Sequence, residues 1–215
     1  CRRWQEKDYG IWEVRSEKQH FVHSKLLVYV ALDRALRIVD RFGFDADVER
    51  WRSSREAVRR SLLENGWNEE RGAFVQAYGS TALDAANLHI VLEGFLPPDD
   101  PRVQSTIDRC LEELTENGMV YRYRTDHADD GLPGSEGTFG LATFWMVDAL
   151  ALSGRLDEAW QMFEGMARRA NHVGLYSEQF DADTGAFLGN FPQAFTHLGL
   201  ISAAFNLDRA LKNGD

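Results

Sequence analysis

The first residues that could do chemistry lie in a predicted loop ahead of a helical segment. Segment 8–15 places Glu13 directly after Trp12 and two residues before Arg15. A carboxyl group packed against an indole is poorly solvated in its charged form, which favours the protonated state that a general acid needs. The alternative is that Glu13 only pairs with Arg15 on a surface turn.

A second loop carboxylate stands far along the chain. Glu178 lies among aromatic side chains in segment 174–181. Two carboxylates that face each other across a pocket are the minimum apparatus for glycoside hydrolysis, so Glu178 is the candidate partner of Glu13. The alternative is an ordinary solvated turn, because segment 181–185 has the composition of one.

Both loops need a scaffold that brings distant segments together. Hydrophobic periodicity predicts seven helices and almost no alternating strand pattern, so the fold class is all-α. The helices are predicted at 20–42, 48–65, 81–95, 101–116, 138–153, 155–170 and 193–211. The odd-numbered ones are apolar nearly all round and the others carry one apolar stripe, so buried and covering helices alternate. This order predicts two layers, as in an α/α toroid or an α/α stack.

The connections between these helices also alternate in length. Those that follow a covering helix are long, at 66–80, 117–137 and 171–192. In an up-and-down array they fall on one face, and long loops in a compact domain are usually functional. That face is the predicted site, where Trp67 is either an outer substrate contact or a local packing residue.

Four buried and three covering helices do not close a ring. The first and last buried helices are therefore expected to leave apolar flanks in water, which is unfavourable. We expect the missing N-terminal half of the same polypeptide, or a self-associating partner chain, to cover them. No composition shift divides the chain, so residues 1–215 are assigned to one domain.

Composition excludes several other classes of partner. The chain has 34 acidic and 24 basic residues, a net charge of −10, and no basic block that would bind nucleic acid. No apolar run approaches the roughly 20 residues that span a membrane. Two cysteines give no disulfide framework and weakly favour a cytoplasmic location.

No metal or cofactor is predicted. His20 and His23 share a helix face but have no third ligand at a suitable spacing. The segment 181–185 lacks the closing Glu of an EF-hand. No strand precedes the glycine-rich stretch 131–140, so it is not a phosphate-binding loop.

Several ordered motifs are more specific than these patterns. They are Gly10-Ile11-Trp12-Glu13, Val120-Tyr121-Arg122-Tyr123 and Tyr176-Ser177-Glu178-Gln179-Phe180. Together they resemble the family 15 glycoside hydrolases, which include glucoamylases, glucodextranases and bacterial trehalases. Segments 20–25, 136–139 and 189–195 are similar to the bacterial branch, and the resemblance covers residues 4–211.

The resemblance implies a catalytic (α/α)6 barrel of which this chain is the C-terminal part, without the N-terminal β-sandwich and first five helices. It implies inverting hydrolysis of α-glucosidic bonds, either at α-glucan ends or in trehalose. Glu13 would be the general acid and Glu178 the general base. Arg122 would hydrogen-bond glucose hydroxyls, and Trp12 and Phe139 would form aromatic walls.

Some alternatives stay open at this stage. Glu136 is either a substrate contact or a cap at a helix N-terminus, and it could replace Glu178 as the base. Arg122 could instead form a salt bridge with Asp126 or Asp129, while Arg15 is a further candidate substrate contact. Inversion predicts carboxyl groups about 6.5 to 9.5 Å apart. The rival function is a non-catalytic α/α module that binds carbohydrate or acts as a scaffold.

Overall fold

A computed structural model describes residues 1–125, 131 and 136–213, excluding the side chain of residue 213. Seven α-helices lie in these ranges. They are α1 (Val22–Phe42), α2 (Val48–Asn65), α3 (His89–Leu92), α4 (Pro101–Leu114), α5 (Gly140–Leu152), α6 (Leu156–Ala167) and α7 (Ala194–Asn213). The mostly helical class is therefore confirmed.

The third helix is much shorter than the sequence predicts. Helix α3 has four residues and follows a 3₁₀ turn at Ala85–Leu88, whereas a helix over 81–95 was expected. Asp84 holds an extended backbone, and its side chain accepts a hydrogen bond of 2.8 Å from the turn's own backbone. Gly94 then adopts a left-handed φ of 67°, which ends the helix.

The long loops contain short paired strands. Hydrophobic periodicity did not predict these strands. They are β1 (Trp67–Asn68), β2 (Ala73–Phe74), β3 (Thr115–Glu116), β4 (Met119–Val120), β5 (Thr138–Phe139), β6 (Gln179–Phe180) and β7 (Phe187–Leu188). β1 pairs with β2, β3 with β4, and β5, β6 and β7 form one antiparallel sheet. A two-residue strand is too short to show alternating apolar and polar residues, so hydrophobic periodicity could not indicate these strands.

The helices pack in two layers, as predicted. In the inner layer α1 contacts α3, α3 contacts α5, and α5 contacts α7. In the outer layer α2 packs on α1, α4 packs on the 3₁₀ turn and β2, and α6 packs on α5 and α7. The described helices form no closed barrel. The core between the layers includes the fully buried Phe74, Phe144 and Phe180.

Helix α7, the last helix of the inner layer, exposes apolar side chains. On α7, Phe195 is 61%, Leu198 60%, Ile201 65% and Phe205 66% exposed. These positions recur at helical spacing and form one stripe, which we call the α7 stripe. On α1, Ile38 and Phe42 are also exposed. The expected bare flanks are therefore present in this chain.

The α7 stripe predicts self-association of the isolated chain. Exposed apolar stripes favour association in water, so replacing Leu198 and Ile201 together by Ser should shift the chain toward monomer. Arg209→Ser, an exposed change on the same helix, is the matched control. Analytical ultracentrifugation over a concentration series measures the effect. A wild-type chain that stays monomeric at every concentration would contradict this prediction.

The apolar length of the helices and the state of the two cysteines were also considered from the sequence. No helix in the described ranges is long and apolar enough to cross a membrane. Cys1 is exposed and Cys110 is buried, and both are free thiols.

Candidate active site

Glu13 lies in a tight turn with an unusual backbone. Its N–H donates to the carbonyl of Gly10 at 3.3 Å, and its φ is 52°, in the left-handed region that non-glycine residues rarely adopt. The carboxylate of Asp8 organises the turn by accepting bonds of 2.8 Å from the Gly10 N–H and from the Ser24 hydroxyl. Helix α1, which carries Ser24, therefore fixes the turn that presents Glu13.

The surroundings of Glu13 differ from the expectation. Its side chain is exposed, so the indole of Trp12 does not enclose the carboxyl group within this chain. Among the described residues it also forms no ion pair with Arg15, which was the alternative. The turn instead directs the two neighbouring side chains apart, with Trp12 half-buried and Glu13 in solvent.

The indole of Trp12 is held by hydrogen bonds to its N–H and by aromatic packing of its ring. Its indole N–H lies 3.0 Å from each carboxylate oxygen of Asp84. Its ring packs edge-on against Phe139, with centroids 5.6 Å apart, and against Trp145 at 6.0 Å. The ring is therefore fixed in position and in orientation, as an aromatic wall requires.

Arg122 is surrounded by aromatic rings. Its guanidinium carbon lies 5.2 Å from the ring centre of Trp12, 5.3 Å from that of Phe139 and 5.7 Å from that of Tyr123. These distances are within the range of cation–π attraction. We use the name Arg122 cluster for Arg122, the rings of Trp12 and Phe139, and Glu136, which pairs with Arg122.

Glu136 is the acidic partner of Arg122. The pair is bidentate: the Nε–Oε2 distance is 3.0 Å, and Nη2 donates to Oε1. Arg122 thus forms a salt bridge with Glu136. Asp126 and Asp129, the partners considered from the sequence, lie outside the described residues. Nη1 of Arg122 has no hydrogen-bond partner among the described residues.

The capping role suggested for Glu136 is not observed. Helix α5 begins at Gly140, and no side chain caps its N-terminus. Glu136 lies four residues earlier, and both of its carboxylate oxygens face Arg122. This pairing opposes a role for Glu136 as the base, since both carboxylate oxygens are engaged by the guanidinium.

Glu178 is positioned by its backbone and by one carboxylate oxygen. Its N–H donates to the Asn190 carbonyl at 2.9 Å, and its own carbonyl accepts from the Gly140 N–H at 3.0 Å. Oε2 accepts from the N–H and the side-chain amide of Asn190, at 3.0 and 2.8 Å. Oε1 has no hydrogen-bond partner among the described residues. One oxygen of Glu178 is therefore held in place by Asn190.

Gly189 permits this arrangement. A Cβ at this position would lie 2.9 Å from Oε2 of Glu178, and the glycine has a φ of +70°. Any side chain here would strain the backbone and displace the carboxylate.

Glu13 and Glu178 each stand next to the Arg122 cluster. Glu13 directly follows Trp12, while Glu178 directly precedes Gln179, which pairs with Phe139 across β5 and β6. Since Trp12 packs on Phe139, a short path of contacts joins the two loops. That all the long loops share one face and that the two carboxylates confront each other stay predictions.

Two of the predicted substrate contacts, Trp67 and Arg15, are not part of the Arg122 cluster. The ring of Trp67 packs on Phe74, its partner in the β1–β2 hairpin, with centroids 5.5 Å apart. This is the local packing alternative. Arg15 is exposed and forms no hydrogen bond or ion pair with any other described residue.

His23 and the turn at 181–185, which the sequence analysis weighed as metal ligands, make ordinary contacts within the protein. His23 is buried against His89, with ring centroids 5.1 Å apart, and burial lowers the pKa of His23 to about 4. Asp181 accepts from the Thr184 N–H at 2.8 Å and hydroxyl at 2.7 Å, as in an ordinary turn. Within the described part of the chain, no three His, Cys, Asp or Glu side chains are placed to hold a metal ion.

Comparison with known proteins identifies the family. The model of glycosyl hydrolases family 15 matches residues 1–205. The chain belongs to this family.

Relatives of this family 15 chain are named trehalases. The trehalase of Mycobacterium tuberculosis is 46% identical over 212 residues, which are 99% of this chain and 31% of that protein. The chain thus spans about a third of the length of this curated relative.

Solved structures match the fold of this family 15 chain. A glycosidase variant in complex with glucose has a TM-score of 0.80 at 20% identity, covering 95% of this chain and 56% of that one. A bacterial glucoamylase complexed with acarbose has a TM-score of 0.73 at 18% identity, covering 92% and 34%. The helical layers described above are thus those of glucoamylase-like (α/α)6 glycosidases.

Sequence reasoning missed two residues at the site of this family 15 chain. Asp84 binds the indole of Trp12, and Asn190 holds the carboxylate of Glu178. A lone Asp in the apolar run 82–88 was a usable signal, because a carboxylate buried there needs hydrogen-bond donors. Asn190 lies in segment 189–195 of the resemblance, but its contact with Glu178 depends on how the loop after β7 folds back, which the sequence does not show.

Proposed function

We propose that the protein containing this chain hydrolyses α-glucosidic bonds with inversion at the anomeric carbon. In this proposal residues 1–215 are the C-terminal part of an (α/α)6 catalytic domain, and the rest of the polypeptide covers the bare flanks of α1 and α7. The family membership and the limited share of the relative's length that the chain spans support this assignment.

The observation that carries the proposal is the arrangement at Glu178. Asn190 fixes one carboxylate oxygen and leaves the other unpaired among the described residues, on a loop joined by strand pairing to Phe139. A general base needs such an oxygen, held in position and free to accept a proton. The Arg122 cluster beside it supplies aromatic surfaces and a guanidinium N–H that makes no hydrogen bond within the described residues, and such groups suit a sugar.

Two proton transfers accompany the proposed reaction. Glu13 donates its proton to the glycosidic oxygen as the bond from that oxygen to the anomeric carbon breaks. Glu178 accepts a proton from the water that attacks the opposite face of that carbon. Because Glu13 is exposed in this chain, the apolar surroundings expected of a general acid would come from the substrate or from the remaining polypeptide.

The substrate we propose is trehalose, in which two glucose units are joined through their anomeric carbons. The support is the name of the curated relative at 46% identity. Cleavage at α-glucan ends is the second candidate, because a glucoamylase complexed with acarbose shares the fold. Arg122 would donate to glucose hydroxyls in both cases, and Trp12 and Phe139 would contact the apolar ring face.

Product stereochemistry tests this proposal. The longest natural polypeptide that contains this chain should be mixed with trehalose, and the anomeric protons followed by NMR before mutarotation. Inversion yields one β-glucose from the attacked ring and one α-glucose from the leaving ring. Two α-glucose molecules would contradict inversion. Calorimetric binding of trehalose and maltose without turnover of either would instead support the non-catalytic module.

A further inference from the structure

Asp84 is a buried carboxylate to which the proposed chemistry assigns no role. It is 3% exposed and precedes the 3₁₀ turn at the centre of the inner layer. One oxygen accepts from the backbone N–H of Ala86 at 2.8 Å, which caps the turn. A cap needs only one acceptor, and Asn or Ser would serve as well without bringing a charge into the interior.

The remaining partners of Asp84 are neutral. The indole N–H of Trp12 lies 3.0 Å from both oxygens, and the side-chain amide of Gln76 donates to Oδ2 at 3.1 Å. Asp84 has no ion pair among the described residues, and burial raises its pKa. A buried carboxylate without a bonded cation is unfavourable, so stability alone gives no reason for a charge here.

Asp84 touches the Arg122 cluster through Trp12. The indole N–H of Trp12 meets the carboxylate, while the guanidinium of Arg122 lies over the indole ring and its charge acts on Asp84. Because both oxygens of Asp84 share the indole N–H, the ring cannot rotate without losing these bonds. Trp12 also immediately precedes Glu13, so the orientation of the ring constrains the turn that presents the acid.

We propose that Asp84 is a positioning residue for sugar hydrolysis, which fixes the indole of Trp12 and thereby places Arg122 and the Glu13 turn. This inference rests on the proposed function. Asp84 does not contact the substrate in this proposal and acts only through Trp12. Small displacements of positioning groups can lower rates by about 100-fold.

The chain offers a matched control in Asp148. This aspartate is 4% exposed and accepts only from neutral donors, Ser202 at 3.1 Å and Asn206 at 3.0 Å. Burial raises its pKa as well. Its hydrogen-bond partners lie on α7, so Asp148→Asn removes an equally buried charge without changing a contact of Trp12.

The experiment compares Asp84→Asn with Asp148→Asn in the longest natural polypeptide that contains this chain. For Asp84→Asn we expect kcat/KM to fall by about 10- to 100-fold while Tm is unchanged or higher. For Asp148→Asn we expect kcat/KM within about 2-fold of wild type, since it leaves the site contacts intact. Fluorine NMR of 5-fluorotryptophan, assigned with Trp12→Phe, should show the Trp12 signal shifted only in Asp84→Asn.

A double variant separates positioning from a general loss of structure. In the Trp12→Phe background the indole N–H is already absent. Adding Asp84→Asn to that variant should therefore lower kcat/KM by less than about 3-fold. Equal losses in both backgrounds, an unshifted Trp12 signal, or an equal effect of Asp148→Asn would overturn the inference. If the wild type hydrolyses no α-glucoside, the proposed function fails, and with it the catalytic part of this inference. The fluorine signal still decides whether Asp84 holds the indole.

Discussion

Replacing Glu13 by Gln is expected to slow trehalose hydrolysis by about 100- to 10,000-fold. Gln has nearly the same size but cannot protonate the glycosidic oxygen, so the sugar must leave as an alkoxide. The effect should depend on the leaving group. α-Glucosyl fluoride releases fluoride without protonation, and its hydrolysis should fall by less than about 10-fold.

The comparison of the two substrates is the decisive measurement. Glu17→Gln is the matched control, because Glu17 is another exposed carboxylate only four residues away. It should leave both rates unchanged. Equal losses on trehalose and the fluoride in Glu13→Gln would argue against the acid role, because only the trehalose reaction needs a proton on the leaving oxygen.

Replacing Glu178 by Gln should lower the rates on both substrates by about 100- to 10,000-fold. Water must lose a proton as it attacks, whatever group leaves. The two donors of Asn190 would select the amide oxygen of the introduced glutamine and turn its NH₂ group toward the former position of Oε1. The variant side chain would therefore keep its place and lose its basicity.

Two further variants make the base assignment testable. Asp183→Asn, an exposed change in the following turn, should be silent. Glu136→Gln should weaken sugar binding by releasing Arg122, with KM raised more than kcat is lowered. If Glu136→Gln abolished turnover and Glu178→Gln did not, Glu136 would be the base.

The fold could be predicted from the sequence where helices are long. Helix α2 spans the predicted 48–65, and the ends of α5 lie within two residues of the prediction. The third helix could not be predicted, because its apolar run is equally compatible with a 3₁₀ turn capped by Asp84. The capping carboxylate also accepts from Trp12, which is 72 residues away in the sequence, so local spacing does not reveal its place.

The candidate site could be predicted only in part, for a similar reason. Glu13 and Glu178 stand out locally because each carboxylate sits among aromatic residues. The bidentate pairing of Arg122 with Glu136 depends on how two loops meet, and spacing pointed instead to nearer acids. The enclosed environment expected for Glu13 was wrong for this chain, because the turn directs its side chain into solvent.

The pairing of β5, β6 and β7 restricts how sequences of this type can vary in length. Adjacent residues of a strand point to opposite sides, so one extra residue in β6 would bring an amide to the place of the carboxylate of Glu178. The turn at 181–186 contains no residue of the candidate site, so a change in its length would leave the strand register at Glu178 intact. Natural insertions and deletions should therefore collect in that turn, and directed evolution libraries can vary its length while leaving residues 178–180 intact.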